Sequence, residues 1–116
     1  MTTQTFPERR RELIQRLGHM HQVIPETMQG FRAMHSASAK DGALPKATKE
    51  LIALAVGIAV HCEGCIAFHV HDALAAGASA EEIAEAVGVT VLMGGGPAAM
   101  YGADALAAVA QFQADA

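Results

Sequence analysis

The chain has 116 residues, enough for one compact domain, and a net charge of -4 with a pI near 5.8. That balance gives no general attraction for nucleic acid, and the short basic cluster Arg9-Arg10-Arg11 with Arg16, which has no interleaved aromatics, reads as a solvated helix face. Hydrophobic residues make up 52% against 17% charged; one small subunit has too little interior to hide them, so an interface between copies of the chain is expected.

Met1 to Pro7 shows no basic flank followed by an apolar run and does not read as a signal peptide. Period-two alternation is absent and helix punctuation is frequent. Pro7 can open a first helix to about His19, and Pro25 a second to about Ser36 with Met28 and Phe31 on its apolar side. Ser36 to Leu44 reads as a loop that turns at Asp41-Gly42. Pro45 stands at the start of a third helix, Lys46 to about Val60. Leu51, Ile52, Leu54, Ala55, Ile58 and Ala59 make this helix apolar nearly all round, which predicts a central, buried position. Its uncharged run, Leu51 to Val60, is about half the length of a membrane span.

A fourth helix is predicted from Glu63 to Ala76 and is stopped by Gly77. Ser79 followed by Glu82 is a capping-box pattern that starts a fifth, to about Met93. Gly94-Gly95-Gly96 ends it, and Pro97 opens the last, to about Gln113. The same glycines and proline break the uncharged stretch Ala86 to Ala103. The expected fold is all-α, a compact bundle of about six helices in a single domain spanning residues 1–116, with no membrane span and a cytoplasmic location by default.

Chemistry concentrates in Cys62-Glu63-Gly64-Cys65-Ile66-Ala67-Phe68-His69, which holds the only two cysteines. Cys62 falls at the turn before the fourth helix and Cys65 in its first turn, where the helix dipole favours a thiolate. His69 is one turn further on and can take a proton from Cys65 or hydrogen-bond its sulfur. In a reducing compartment such a pair suits redox chemistry or metal binding better than a structural staple. Three readings stay open on the residues: a thiol–disulfide site, a zinc site using Cys62, Cys65 and His69 with His61 as a fourth ligand within reach, and inert packed cysteines. His71, two residues from His69, points away from it on a helix.

Glu50 opens the apolar run of the third helix. It reads either as a first-turn acid favoured by the dipole or, because the chain reverses near Cys62, as a carboxylate folded back to orient His69. The triglycine lacks both a following Lys and a preceding strand, so it reads as a helix corner and not a phosphate loop. Met28, Met34, Met93, Met100, Phe68 and Tyr101 read as core or pocket wall, His19, His21 and His35 as scattered polar groups, and Asp104 as solvated.

Glu50, then Cys62-Glu63-Gly64-Cys65, then His69, with Lys49-Glu50-Leu51-Ile52-Ala53-Leu54-Ala55 before and Ala76-Gly77-Ala78-Ser79-Ala80-Glu81-Glu82-Ile83 after, resembles the signature of the alkylhydroperoxidase D-like proteins of the carboxymuconolactone decarboxylase superfamily. The resemblance covers Leu44 to about Leu106. It implies an all-helical subunit assembled as trimers or hexamers and a thiol-dependent peroxidase or disulfide reductase without an organic cofactor. Carried residue by residue, it makes Cys65 the attacking thiolate, Cys62 the resolving thiol, His69 the base and Glu50 the acid of a proton relay. The implied partners are a hydroperoxide or disulfide substrate and an external dithiol donor protein. Gly64 stands where the best-known peroxidase members carry a His. A zinc-binding protein or a non-catalytic oligomeric small-ligand binder using the same cluster is the alternative.

Overall fold

The computed structural model describes residues 4–115, and among them only helices and their connections occur. The part of the N-terminal reading that concerns residues 1–3 lies outside the described residues. Helix α1 spans Phe6–Val23 and starts with a reciprocal capping box: the Thr5 hydroxyl accepts from the Glu8 amide while the Glu8 carboxylate accepts from the Thr5 amide. Those bonds, from the Thr5 backbone first and its side chain second, hold the Glu8 carboxyl below the usual carboxylate range.

The basic cluster of α1 is spent on local partners. Arg9 and Arg16 pair with Glu12 at 3.5 and 2.6 Å, Arg11 with Asp115 at 3.3 Å, and the Arg10 guanidinium lies over the Phe68 ring at 5.6 Å. Glu12 also accepts from the Gln4 amide, and this bond, ahead of the guanidiniums, holds its carboxyl low. Phe6 N–H donates to the Gln111 side chain at 2.7 Å, so the two ends of the chain are tied together.

Helix α1 continues past His19 because nothing between His19 and Ile24 breaks a helix; the break comes at Ile24, which Pro25 forces out of the α region. Helix α2, Pro25–Ala39, likewise runs through Ser36 and ends at extended Lys40, whose carbonyl accepts from the Lys49 ammonium at 2.7 Å. The loop is therefore shorter than expected. Met28 is buried at 6% exposure, as its apolar reading requires, but Phe31 is 55% exposed. Along α2 Met28 alone is buried, so this helix has little of the chain beneath it.

Helix α3, Lys46–Ala59, begins after Pro45, and its first amide donates to the Asp41 carboxylate at 2.6 Å. Leu54, Gly57 and Ile58 are buried in the bundle, while Ile52 and Val56 face outward half-exposed. The helix is thus central on one face only. Helix α4, Glu63–Ala75, ends in Gly77 at φ +100, where the amides of Gly77 and Ala78 return to the carbonyls of Leu74 and Ala73.

Helix α5, Ala80–Asp115, holds the two final predicted helices in one element bent at Gly95, whose φ of 70 and ψ of -149 are not helical. Ser79 and Glu82 form the expected capping bonds at its start. The bend folds the arm after Pro97 back on the arm before it: a Cβ on Gly102 would stand 2.7 Å from Val87 Cγ1, and one on Gly94 2.7 Å from Ala98 Cβ. Over an 18-residue window α5 has a mean hydropathy of 1.4, enough for a span by length and composition, but only 22% of that window is buried and the bend interrupts it. One core joins α3, α4 and α5 through Leu54, Ile58, Ile66, Val70, Ile83 and Ala105, each fully buried.

Candidate functional site

Ile58 and Val56 carbonyls close the last turn of α3, and His61 then takes the left-handed conformation at φ 61 to reverse the chain. The Cys62 amide donates to Gly57 O at 2.9 Å, which seats Cys62 as the N-cap of α4. Its sulfur accepts from the Cys65 amide at 3.1 Å, so the first sulfur sits among the orphan amides of a helix start. Cys62 and Cys65 form a disulfide with a Cα–Cα separation of 5.2 Å, within the ordinary range for such bonds. Both residues are partly accessible.

The close fit of α3 against this turn depends on Gly57. A Cβ there would stand 2.8 Å from Cys65 Cβ, so only glycine lets the two helices meet where the redox pair sits. On the other side, Leu13 of α1 covers Gly64: a Cβ on Gly64 would stand 3.1 Å from Leu13 Cδ1.

One turn beyond Cys65, the His69 ring reaches back to α3. Its Nδ1 is 2.8 Å from Glu50 Oε2, and the Glu50 residue is 2% exposed. An ionised carboxylate only accepts, so the pairing places the proton on Nδ1 and leaves Nε2 as the ring's acceptor. The four residues singled out in the sequence are thereby brought to one place: Cys62 and Cys65 bonded to each other, His69 in the next turn of α4, and Glu50 buried against it. A charged side chain buried this deeply is not a solvated first-turn acid; it is held by its histidine partner.

Other sequence readings sort differently. His71 Nδ1 pairs with Asp72 at 2.8 Å, apart from the Glu50–His69 pair, as its two-residue offset predicts. His61 stacks on Tyr101 at 4.8 Å with an interplanar angle of 5°, and the ring is exposed. Met34, Met93 and Met100 are 61%, 82% and 67% exposed, so these methionines are not core. Asp104 is exposed as expected.

Two residues near Glu50 were not legible as site residues. His35 of α2 and Asp72 of α4 share a cavity wall with it, together with Lys40 and Lys46. A smaller cavity joins His35, Lys49, Glu50 and His69. No sequence spacing links His35 to Glu50; the packing of α2 on α3 does so.

A family model, the carboxymuconolactone decarboxylase family, matches residues 25–108. An uncharacterised protein of Cupriavidus necator is 41% identical over 96 residues, covering 83% of this chain and 85% of the relative. An uncharacterised protein encoded in the cox locus of Paracoccus denitrificans is 42% identical over 91 residues, covering 78% and 82%. The crystal structure of a carboxymuconolactone decarboxylase family protein from Legionella pneumophila, in its apo form, superposes with a TM-score of 0.89 at 43% identity over 92% of this chain and 96% of that one. A Thermotoga maritima structure matches with a TM-score of 0.71 at 28% identity over 76% and 79%. With the family model spanning most of its length and the cysteine pair seated at the start of α4, this chain belongs to the carboxymuconolactone decarboxylase family, as an alkylhydroperoxidase D-like member of that superfamily.

Proposed function

We propose that this protein is a thiol–disulfide oxidoreductase of the peroxidase type. The observation that carries this reading is the Cys62–Cys65 disulfide at the N-terminus of α4, with the buried Glu50–His69 pair one turn away. Helix-terminal dithiols of this spacing have stabilised thiolates and form disulfides that are readily reduced.

In the proposed cycle the Cys65 thiolate attacks the outer oxygen of a hydroperoxide. The O–O bond breaks, Cys65 becomes a sulfenic acid, and the alcohol leaves with a proton delivered from His69. The Cys62 thiolate then attacks the Cys65 sulfur and water departs, forming the disulfide. An external dithiol supplies two electrons and two protons to restore both thiols. Glu50 holds the imidazole with Nδ1 protonated throughout, so that Nε2 exchanges protons on the thiol side. The protein works in the cytoplasm, where a dithiol donor protein is available and thiols are kept reduced.

Self-association belongs to the same reading. Val89, Leu92, Met93 and Met100 are between 62% and 82% exposed along α5 and its bend, and α2 adds Phe31 and Met34. Apolar residues so numerous and so open are the surface a second copy covers, as a trimer or hexamer.

The test is a redox titration of the pair, read by mass after alkylation across a glutathione or dithiothreitol series. A reversible two-electron transition at roughly -200 to -300 mV supports the oxidoreductase. Thiols that never pair, or that pair only after a chelator is added, overturn it in favour of zinc or of packed cysteines.

A further inference from the structure

His69 occupies only one of the two oxygens of Glu50. Oε2 meets Nδ1 at 2.8 Å, and the second oxygen has no hydrogen-bond partner among the described residues although the side chain is 2% exposed. A carboxylate this deeply buried gains from a second cationic or donor partner. Glu50 also forms part of the wall of a cavity of about 390 Å³, and two metal-ligating side chains share that wall: His35 from α2 and Asp72 from α4.

The ligand atoms offered by His35, Glu50 and Asp72 all lie within 4.8 Å of one another. Donors bound to one cation at about 2.0–2.2 Å stand roughly 3–4 Å apart, so a small rotation of these side chains closes the set. Asp72 is pre-oriented, because its Oδ1 is held by His71 Nδ1 at 2.8 Å and its other oxygen has no hydrogen-bond partner among the described residues. Glu50 is pre-oriented by His69 in the same manner. Each carboxylate thus has an imidazole behind it, the arrangement of a supported metal ligand. His35 is exposed, which provides the route by which an ion enters.

We propose that His35, Glu50 and Asp72 bind a divalent first-row transition-metal ion, with water filling the remaining positions from the cavity. One imidazole nitrogen and two carboxylate oxygens suit zinc or manganese better than calcium, which takes six to eight oxygens, or copper(I), which prefers sulfur. Lys40 and Lys46 line the same cavity and oppose the ion's charge, but both are exposed and their long stems let the ammonium groups turn to solvent. This site is separate from any zinc bound by Cys62, Cys65 and His69.

Zinc titration calorimetry on the disulfide form tests it, because the bonded sulfurs are then unavailable as ligands. One ion per chain is expected, with affinity reduced at least about tenfold in His35→Ala and in Asp72→Asn. His35 is exposed and Asp72→Asn conserves shape, so both variants fold, and circular dichroism checks this. Manganese supplies a second readout: bound Mn²⁺ loses its free-ion electron paramagnetic resonance signal with the intact site and keeps it with the His35→Ala, Asp72→Asn double variant. Absence of binding to the disulfide form, or binding of equal affinity in both single variants, overturns the proposal. Since the disulfide form is used throughout, a negative result leaves the peroxidase reading standing, and loss of peroxide turnover leaves the metal site standing.

Discussion

Glu50 Oε2 lies 2.8 Å from His69 Nδ1, nineteen residues apart in sequence and on different helices, with the carboxylate almost fully buried. The pair fixes which ring nitrogen faces the chemistry. Glu50→Gln keeps an acceptor for Nδ1–H but removes the charge, so the fold is expected to survive while thiol turnover falls by at least about tenfold. Glu50→Ala also strands the imidazole, at a cost of about 1–3 kcal/mol in stability. Thermal melts together with peroxide turnover separate the two effects; equal turnover in wild type and Glu50→Gln would make the carboxylate purely structural.

His69 is the base in this scheme, and a positioned base typically contributes about 10²–10⁴ to rate. In the reduced protein His69→Ala is expected to move the alkylation profile of Cys65 to higher pH. The profile is measured by rate of iodoacetamide labelling against pH, with product masses assigning the residue. An unmoved curve shows that the ring serves packing alone.

The two sulfurs have unequal tasks. Cys65→Ser is expected to abolish turnover, whereas Cys62→Ser leaves one peroxide reduced per chain and traps a sulfenic acid on Cys65, detected by dimedone labelling and mass spectrometry. Equal residual turnover in both variants contradicts the assignment of attacking and resolving roles.

Gly57 is the contact on which the redox turn rests. In Gly57→Ala the new methyl meets Cys65 Cβ at 2.8 Å, closer than carbon atoms approach, so α3 and α4 must separate at the cysteines. Overpacking of this kind costs about 1–3 kcal/mol. A lowered melting temperature with altered disulfide reactivity is expected, and a variant matching wild type in both would place the strain elsewhere.

The open apolar face of α5 gives the assembly a direct test. Leu92 and Met93 are 79% and 82% exposed, so replacing both with Asp removes no buried contact within the subunit. Light scattering should change from a multiple of the 12.1 kDa chain mass toward that mass while the helical dichroism is kept. A wild-type protein that already scatters as a monomer at micromolar concentration removes the self-association proposal.

Much of this architecture was legible because its punctuation is local. Pro25, Pro45, Gly77, the Ser79–Glu82 box and Gly94-Gly95-Gly96-Pro97 mark helix ends through backbone sterics and capping, which act within a few residues. The ends of α1 and α2 were placed too early, since neither His19 nor Ser36 stops a helix, and extension depended on what followed. Exposure was harder to read. Phe31, Ile52, Met93 and Met100 are apolar yet open, because hydropathy reports what a residue avoids and not whether the same chain provides the cover.

The sequence by itself determined the all-helical fold, the helix-terminal setting of Cys62 and Cys65 and the one-turn offset of His69, because periodicity, capping and spacing are short-range properties of one backbone. Only the tertiary structure decided between two roles for Glu50. As a first-turn acid it had an adequate local explanation; the reversal at left-handed His61 and the Gly57 contact draw α3 against α4 and bury the carboxylate on His69. Tertiary packing alone also set His35 and Asp72 beside Glu50, since three helices must dock before their donors share a cavity. No spacing in a linear chain encodes such a meeting; the core beneath it does, through the buried Leu54, Ile58 and Ile66 that lock those helices together.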